Sequence, residues 1–162
     1  MKNNILIKTL LLIGIILSSQ FSALNSLQAQ NTLNDKADNI VGTYSGKQGD
    51  DKFKVKIMKL TDGTYRGQVV WLEHDKDAKG NTILDTKNPD RSLRSKPASQ
   101  VVLFSGLKYD AKKHCWSDTK IYDPQRGLKA HMTAEFAPDG RLRLKGSLLG
   151  ISESVYWEKV KE

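Results

Sequence analysis

The chain of 162 residues holds a single cysteine, Cys115. One thiol excludes an internal disulfide and any Cys-cluster metal site, so packing alone must hold the fold. Cys115 lies beside Trp116 in a strand-like stretch and reads as a small packed side chain. His114 is its neighbour in sequence, but neighbours on a strand point to opposite faces, so the two make a poor nucleophile and base. The three histidines, His74, His114 and His131, are scattered, with neither HxH nor HExxH spacing. No G-x-S-x-G elbow and no Gly-rich phosphate loop is present. Lys and Arg outnumber Asp and Glu by 26 to 18, yet there is no dense basic run and no nucleic-acid motif. The lysines instead alternate with apolar residues, as on solvated strand faces. Nothing in the pattern assigns a catalytic residue, a metal site or a cofactor.

The N-terminus has the three parts of an export signal. Lys2 and Lys8 are its positive start, Leu10 to Leu17 is an apolar run, and Gln28-Ala29-Gln30 offers a small residue at the cut. The apolar run falls short of the roughly 20 residues that cross a bilayer. Residues 1–29 are therefore expected to be a cleaved signal peptide, and the mature protein to lack a transmembrane segment. Cleavage removes Lys2 and Lys8 and no acid, so the net charge falls from +8 to +6. Residues 30–38 (QNTLNDKAD) are polar and aperiodic, and are expected to form a flexible leader before a single domain over 39–162.

From Ile40 onward the pattern has period two. In Lys52 to Leu60, Phe53, Val55 and Ile57 point one way and Lys52, Lys54 and Lys56 the other. Thr61-Asp62-Gly63 is turn chemistry, and Thr64 to Leu72 completes a hairpin, with a bulge or bend expected at Gly67. Further strands read over Gln100 to Tyr109, Cys115 to Tyr122, Leu128 to Phe136, Arg141 to Lys145 and Ser154 to Lys159, with turns at Asp123 to Gly127 and Ala137 to Gly140. With Ile40 to Ser45 as the first, this makes eight strands. The expectation is an all-β, eight-stranded antiparallel up-and-down barrel, with a flat sandwich as the alternative. Such a barrel has room for either a packed core or one small ligand.

One connection is far longer than a hairpin needs. Residues 73–99 are polar, with Ile83, Leu84, Pro89, Leu93 and Pro97 as anchors; loops of this length usually serve a function or are disordered. Asn88-Pro89-Asp90 is turn-forming. Arg91 and Arg94 are three apart, so one helical turn puts both guanidiniums on one side, where they suit a carboxylate or phosphate. The alternative is that Asp90 and Arg94 pair to pin the loop. Asn88, Asp90, Arg91 and Arg94, with Tyr122 and Asp123 from the later turn, are the candidate ligand-binding residues.

The segment Lys87 to Pro97 (KNPDRSLRSKP) resembles the signature of an uncharacterised family of exported bacterial domains, domain of unknown function 2147. Ile40-Val41-Gly42-Thr43, Val69-Val70-Trp71-Leu72, Ile121-Tyr122-Asp123-Pro124 with Gly127, Leu142 to Gly146 and Trp157 fit the same pattern, from about Ala37 to Val160. The resemblance implies a lipocalin-like closed barrel exported to the periplasm or beyond in a Gram-negative cell, with no established activity. Tyr44 stands where the family usually has Trp, Leu128 where Lys is common, and the paired cysteines of many relatives are missing.

Three functions follow, in order of preference. The first is a binding module for a small apolar or anionic amphiphile, with Arg91 and Arg94 near the mouth. The second is an envelope protein that docks a partner through its outer face. The third is an enzyme using Asp90, Tyr122, Asp123 and His131. No nucleic-acid partner is expected.

Overall fold

A computed structural model describes residues 32–161. The expected signal peptide and the first two residues of the expected leader lie outside the described residues. Eight strands run in chain order: β1 (Gly42–Gln48), β2 (Asp51–Lys59), β3 (Tyr65–Leu72), β4 (Val102–Asp110), β5 (Cys115–Asp123), β6 (Leu128–Phe136), β7 (Leu142–Leu148) and β8 (Ile151–Lys159). Each pairs antiparallel with the next, and β8 returns to β1, so the sheet is a closed up-and-down barrel. The alternative of a flat sandwich is excluded.

The period-two pattern is what forms the wall. On β2, Val55 and Ile57 are fully buried while Lys56 between them is exposed. The β2–β3 turn closes with Leu60 N–H on Thr64 O (2.7 Å) and Asp62 accepting from Thr64 N–H (2.9 Å), while Gly63 takes φ +81°. Gly67 on β3 has a packing reason: an added Cβ would lie 2.4 Å from the ring of Phe104. The interior is filled by Tyr44, Tyr65, Leu107, Trp116, Phe136, Leu142 and Leu144, each 2 % exposed or less. Burying each side chain of this size stabilises the fold by about 1.5–3 kcal/mol. Phe136 meets Trp116 edge-on at 5.8 Å, and Trp157 meets Phe53 in the same way at 5.8 Å.

One end of the barrel is capped by the segment before β1, residues 32–38 of the expected leader among them. Asn34 pairs with the end of β6 as a strand would, accepting from Phe136 N–H (2.8 Å) and donating to Phe136 O (3.0 Å). Tyr109 donates to Asn34 O (2.6 Å), Trp116 Nε1 to Ala37 O (3.0 Å), and Tyr65 to Asp38 (2.6 Å). These buried or half-buried aromatic donors need acceptors, and a polar, aperiodic segment supplies them.

The other end flares. Two seams, β4–β5 and β8–β1, join β1–β4 to β5–β8. The β4–β5 ladder runs only over Lys108 to Asp110 against Ser117 to Cys115, and the β8–β1 ladder only over Tyr44 and Ser45 against Lys159 and Glu158. Both ladders therefore lie toward the capped end. The β4–β5 seam parts where both strands bulge: Gly106 takes φ +76° and Asp118 φ +70°, beside register shifts in the neighbouring ladders. A bulge bends its strand and ends regular pairing. Beyond β8's two pairs with β1, residues 151–156 are all exposed, including Ile151 at 71 %.

Candidate functional site

The long connection is built like a latch. Its first part is a tight turn around Asp77, which accepts from the N–H groups of Lys79 and Asn81 (2.8 and 2.9 Å). The chain then doubles back, with Ala98 N–H on Ile83 O (2.8 Å) and Asp85 N–H on Lys96 O (2.9 Å). This brings Asp85 and Asn88 against the outer face of β5, where Tyr122 stands. All three are buried, and Asp85 accepts from Tyr122 Oη (2.7 Å) and Asn88 Nδ2 (2.6 Å). Burial, then the Asp85 bond, pushes the Tyr122 phenol well above the usual tyrosine value, against the nearby positive charge of Arg94. Arg94 Nε donates to Asn88 O (2.8 Å). Lys87 reaches the β5–β6 turn through Gln125 O (2.6 Å), and a Cβ on Gly127 would lie 2.6 Å from Lys87 O.

The six residues singled out from the sequence therefore divide. Asn88, Arg94 and Tyr122 come together around Asp85. Asp90 caps the turn Arg91–Leu93, accepting from Ser92 N–H and Oγ (2.9 and 2.7 Å), and those bonds hold its carboxyl below the usual range. Asp90 and Arg94 do not pair. Arg91 is exposed, and its guanidinium makes none of the side-chain hydrogen bonds or ion pairs found among the described residues, whereas Arg94 Nε is held on Asn88 O, so the two arginines do not form one fork. Asp123 serves its own turn, accepting from Gln125 and Arg126 N–H (2.9 and 3.2 Å). The polar set Asp90, Tyr122, Asp123 and His131 does not converge on one point. Asp85 was missed; an acid between apolar Leu84 and Thr86 carries no periodic signal of burial.

Beside the latch lies an open recess of about 780 Å³. The loop gives it Asn88 and Leu93, β4 gives Val102 to Ser105, and β5 and β6 give Thr119, Lys120, Tyr122, Lys129, His131 and Met132 among others. It lies where the β4–β5 ladder stops. Met132 and Thr119 share the inward face as direct partners, whereas Lys120, Lys129 and His131 stand on the outward face. A recess lined by both faces passes into the wall through the parted seam. One side-chain bond bridges that seam, Thr119 Oγ1 to Ser105 O at 2.6 Å, beside the Lys108–Asp118 ion pair at 2.7 Å. Leu93, Val102 and Leu103 give it an apolar part, while β5 and β6 give it Lys120, Lys129 and His131 together with Asp118 and hydroxyl groups.

Other reactive groups offer less. Burial first, then the charges of Asp110 and Glu135, raises the Cys115 thiol, the opposite of what a nucleophile needs. His114 Nδ1 lies 2.9 Å from Asp35 Oδ1, and His74 Nδ1 lies 2.8 Å from Asp51 Oδ1. Among the described residues no group of three His, Cys, Asp or Glu could hold a metal ion, and no helix is long and apolar enough to cross a membrane.

A closed eight-stranded up-and-down barrel, capped at one end by the preceding chain, is a lipocalin-like architecture. The chain belongs to the bacterial family described as "Uncharacterized protein conserved in bacteria (DUF2147)", whose pattern matches residues 42–159. Among solved structures it is similar to protein HP1028 from Helicobacter pylori, described as belonging to the lipocalin family. The TM-score is 0.61 at 19% identity, over 76% of this chain and 84% of that one, a likeness of fold. No curated protein matches the chain in sequence.

Proposed function

We propose that this protein is an exported binding protein for a small apolar or amphiphilic molecule, held in the recess between the latch and the parted β4–β5 seam. The observation that carries this reading is the recess itself, about 780 Å³ with Leu93, Val102 and Leu103 on one wall. That volume lies within the range of small-molecule sites, which are concave and largely apolar with a few placed polar groups. The capped half of the barrel is filled with aromatic and aliphatic side chains, so a guest belongs at the seam rather than deep inside. Export to the periplasm or beyond is part of the same proposal and rests on the signal-like residues 1–29.

The test is titration with an environment-sensitive apolar dye, with Leu93→Glu and Leu103→Asp as variants. Saturable binding that both variants weaken supports the reading, provided both keep the native circular dichroism. Binding unchanged by either, or none at all, removes it. Native mass spectrometry of protein from its own host checks both halves together. A copurifying mass and an N-terminus near Gln30 are expected; an uncleaved chain refutes export.

A second reading, docking to an envelope partner, is favoured by one observation: the flared end presents Leu149 at 94 % exposure beside Ile151 at 71 %. Crosslinking from this end in cells, with no reproducible partner, counts against it.

A further inference from the structure

We infer that the recess selects its guest by an anionic head group, a carboxylate or a phosphate monoester on an apolar chain, held by Lys120, Lys129 and His131. The inference rests on the recess being the ligand site, as proposed above. Lys120 stands directly opposite His131 in the β5–β6 ladder, and Lys129 is opposite Tyr122, the next pair along on that strand edge. Directly opposed side chains on one face start about 5 Å apart and diagonal ones about 7–8 Å apart, so the three basic groups share a patch one head group wide.

The two lysines, diagonal to each other on this face, repel, and proteins normally set acids among such charges. Here, among the described residues, no acid is in ion-pair contact with any of the three. None of the three makes an ion pair or side-chain hydrogen bond among the described residues, and none is among the residues with further contacts. The acids nearby are committed elsewhere. Asp118 is paired with Lys108 (2.7 Å), Asp90 holds the Ser92 turn although Lys129 also lowers its pKa, and Glu135 is paired with Arg143. On the β7 side, His131 faces Ser147. Across the recess lies its apolar part. A basic patch without a direct ion-pair partner, opposite Leu93, Val102 and Leu103, matches an anionic amphiphile at both ends.

Lysine binds oxyanions as a point charge and sets little geometry, so carboxylate and phosphate share the chemistry and the experiment must separate them. Isothermal titration with dodecanol, dodecanoate and dodecyl phosphate, below their micelle concentrations, does so. At least one acid is expected to bind on the order of tenfold tighter than the alcohol, and the acid that gains identifies the head group. In Lys120→Met/Lys129→Met that advantage is expected to vanish, the affinities of acid and alcohol converging. If alcohol and acids bind equally, the recess remains the ligand site but the head-group inference is overturned. If none of the three binds, both readings fall. If the acid advantage survives in the double variant, the head group lies elsewhere and the inference is again overturned. Should the variant misfold, raising the salt concentration on the unaltered protein replaces it. The acid's affinity is then expected to drop while the alcohol's does not, and an acid affinity indifferent to salt overturns the inference.

Discussion

The phenol of Tyr122 on β5 and the carboxylate of Asp85 in the long connection lie 2.7 Å apart, both buried. This bond joins an outward-facing strand residue to a loop that would otherwise be free to lift. A hydrogen bond to a charged group contributes about 1.5–3 kcal/mol, and removing one partner leaves the buried carboxylate short of a donor. Tyr122→Phe is therefore expected to lower unfolding stability by about that amount. Urea unfolding measures it, and faster amide exchange over residues 83–98 should accompany it. Tyr156→Phe at the exposed outer face serves as the control, with a change within about 0.5 kcal/mol.

Gly127 makes a sharper case, because both its conformation and its surroundings demand glycine. Its φ is +69° and a Cβ would lie 2.6 Å from the backbone oxygen of Lys87. The backbone conformation alone costs an L-residue about 1–2 kcal/mol, and the clash must displace main chain rather than a flexible side chain. Gly127→Ala is expected to lower the melting temperature more than Gly140→Ala, where φ is +81° but nothing lies within 4 Å. Equal losses would show that the contact with Lys87 does not hold the latch.

The strands were legible because their inward faces are buried, and they blurred where that stops being true. The clear alternation of Lys52 to Leu60 became β2 (Asp51–Lys59), and Leu128 to Phe136 is β6 to the residue. Yet β7 runs on to Leu148, and β8 begins at Ile151 rather than Ser154. The missed residues form the flared end, where Ser152, Glu153 and Ser154 need not be apolar because neither face is covered. The candidate site was half legible for a related reason. Asn88 is legible from turn chemistry, Arg94 from its spacing to Arg91, and Tyr122 and His131 only as separate polar candidates, whereas Lys120, Lys129 and His131 are apart in sequence and meet only through the hairpin register. The Asp123 to Gly127 turn carries that register: centred between 125 and 126, it sets 120 opposite 131.

Stability should fall at both pH extremes for separate reasons. Asp38 is held below its ordinary pKa first by the Tyr65 hydrogen bond and then by Lys59, and Glu73 by the Lys52 N–H. Groups with depressed folded pKa values contribute stability above their unfolded values and lose it as pH falls through the folded ones, so acid destabilisation should begin below about pH 4. Tyr44, Tyr65 and Tyr122 are shifted the other way, each chiefly by burial. A raised folded value means the native state keeps protons that the unfolded chain releases, so stability is lost as pH rises above about 10. Chemical denaturation across pH should show a plateau between these limits, and Tyr44→Phe should weaken the alkaline decline.

At the seam, Thr119 Oγ1 donates to Ser105 O across strands that share no ladder there. Thr119→Val keeps the shape and removes the donor, at a cost of about 0.5–1.5 kcal/mol. Amide exchange should quicken at Val102 to Gly106 while Tyr109 and Trp116, within the paired part, stay protected. Uniform protection along β4 would contradict a parted seam.

The most direct test of the account is where a small amphiphile touches the protein. Methyl-selective NMR, with dodecanoate titrated into the labelled protein, reads that position residue by residue. Saturable shifts centred on Leu93, Val102, Leu103 and Met132, rather than on Leu149 at the tip of the β7–β8 hairpin, are the predicted result. Shifts centred on Leu149 and Ile151, or no saturable shift at any methyl, would contradict it.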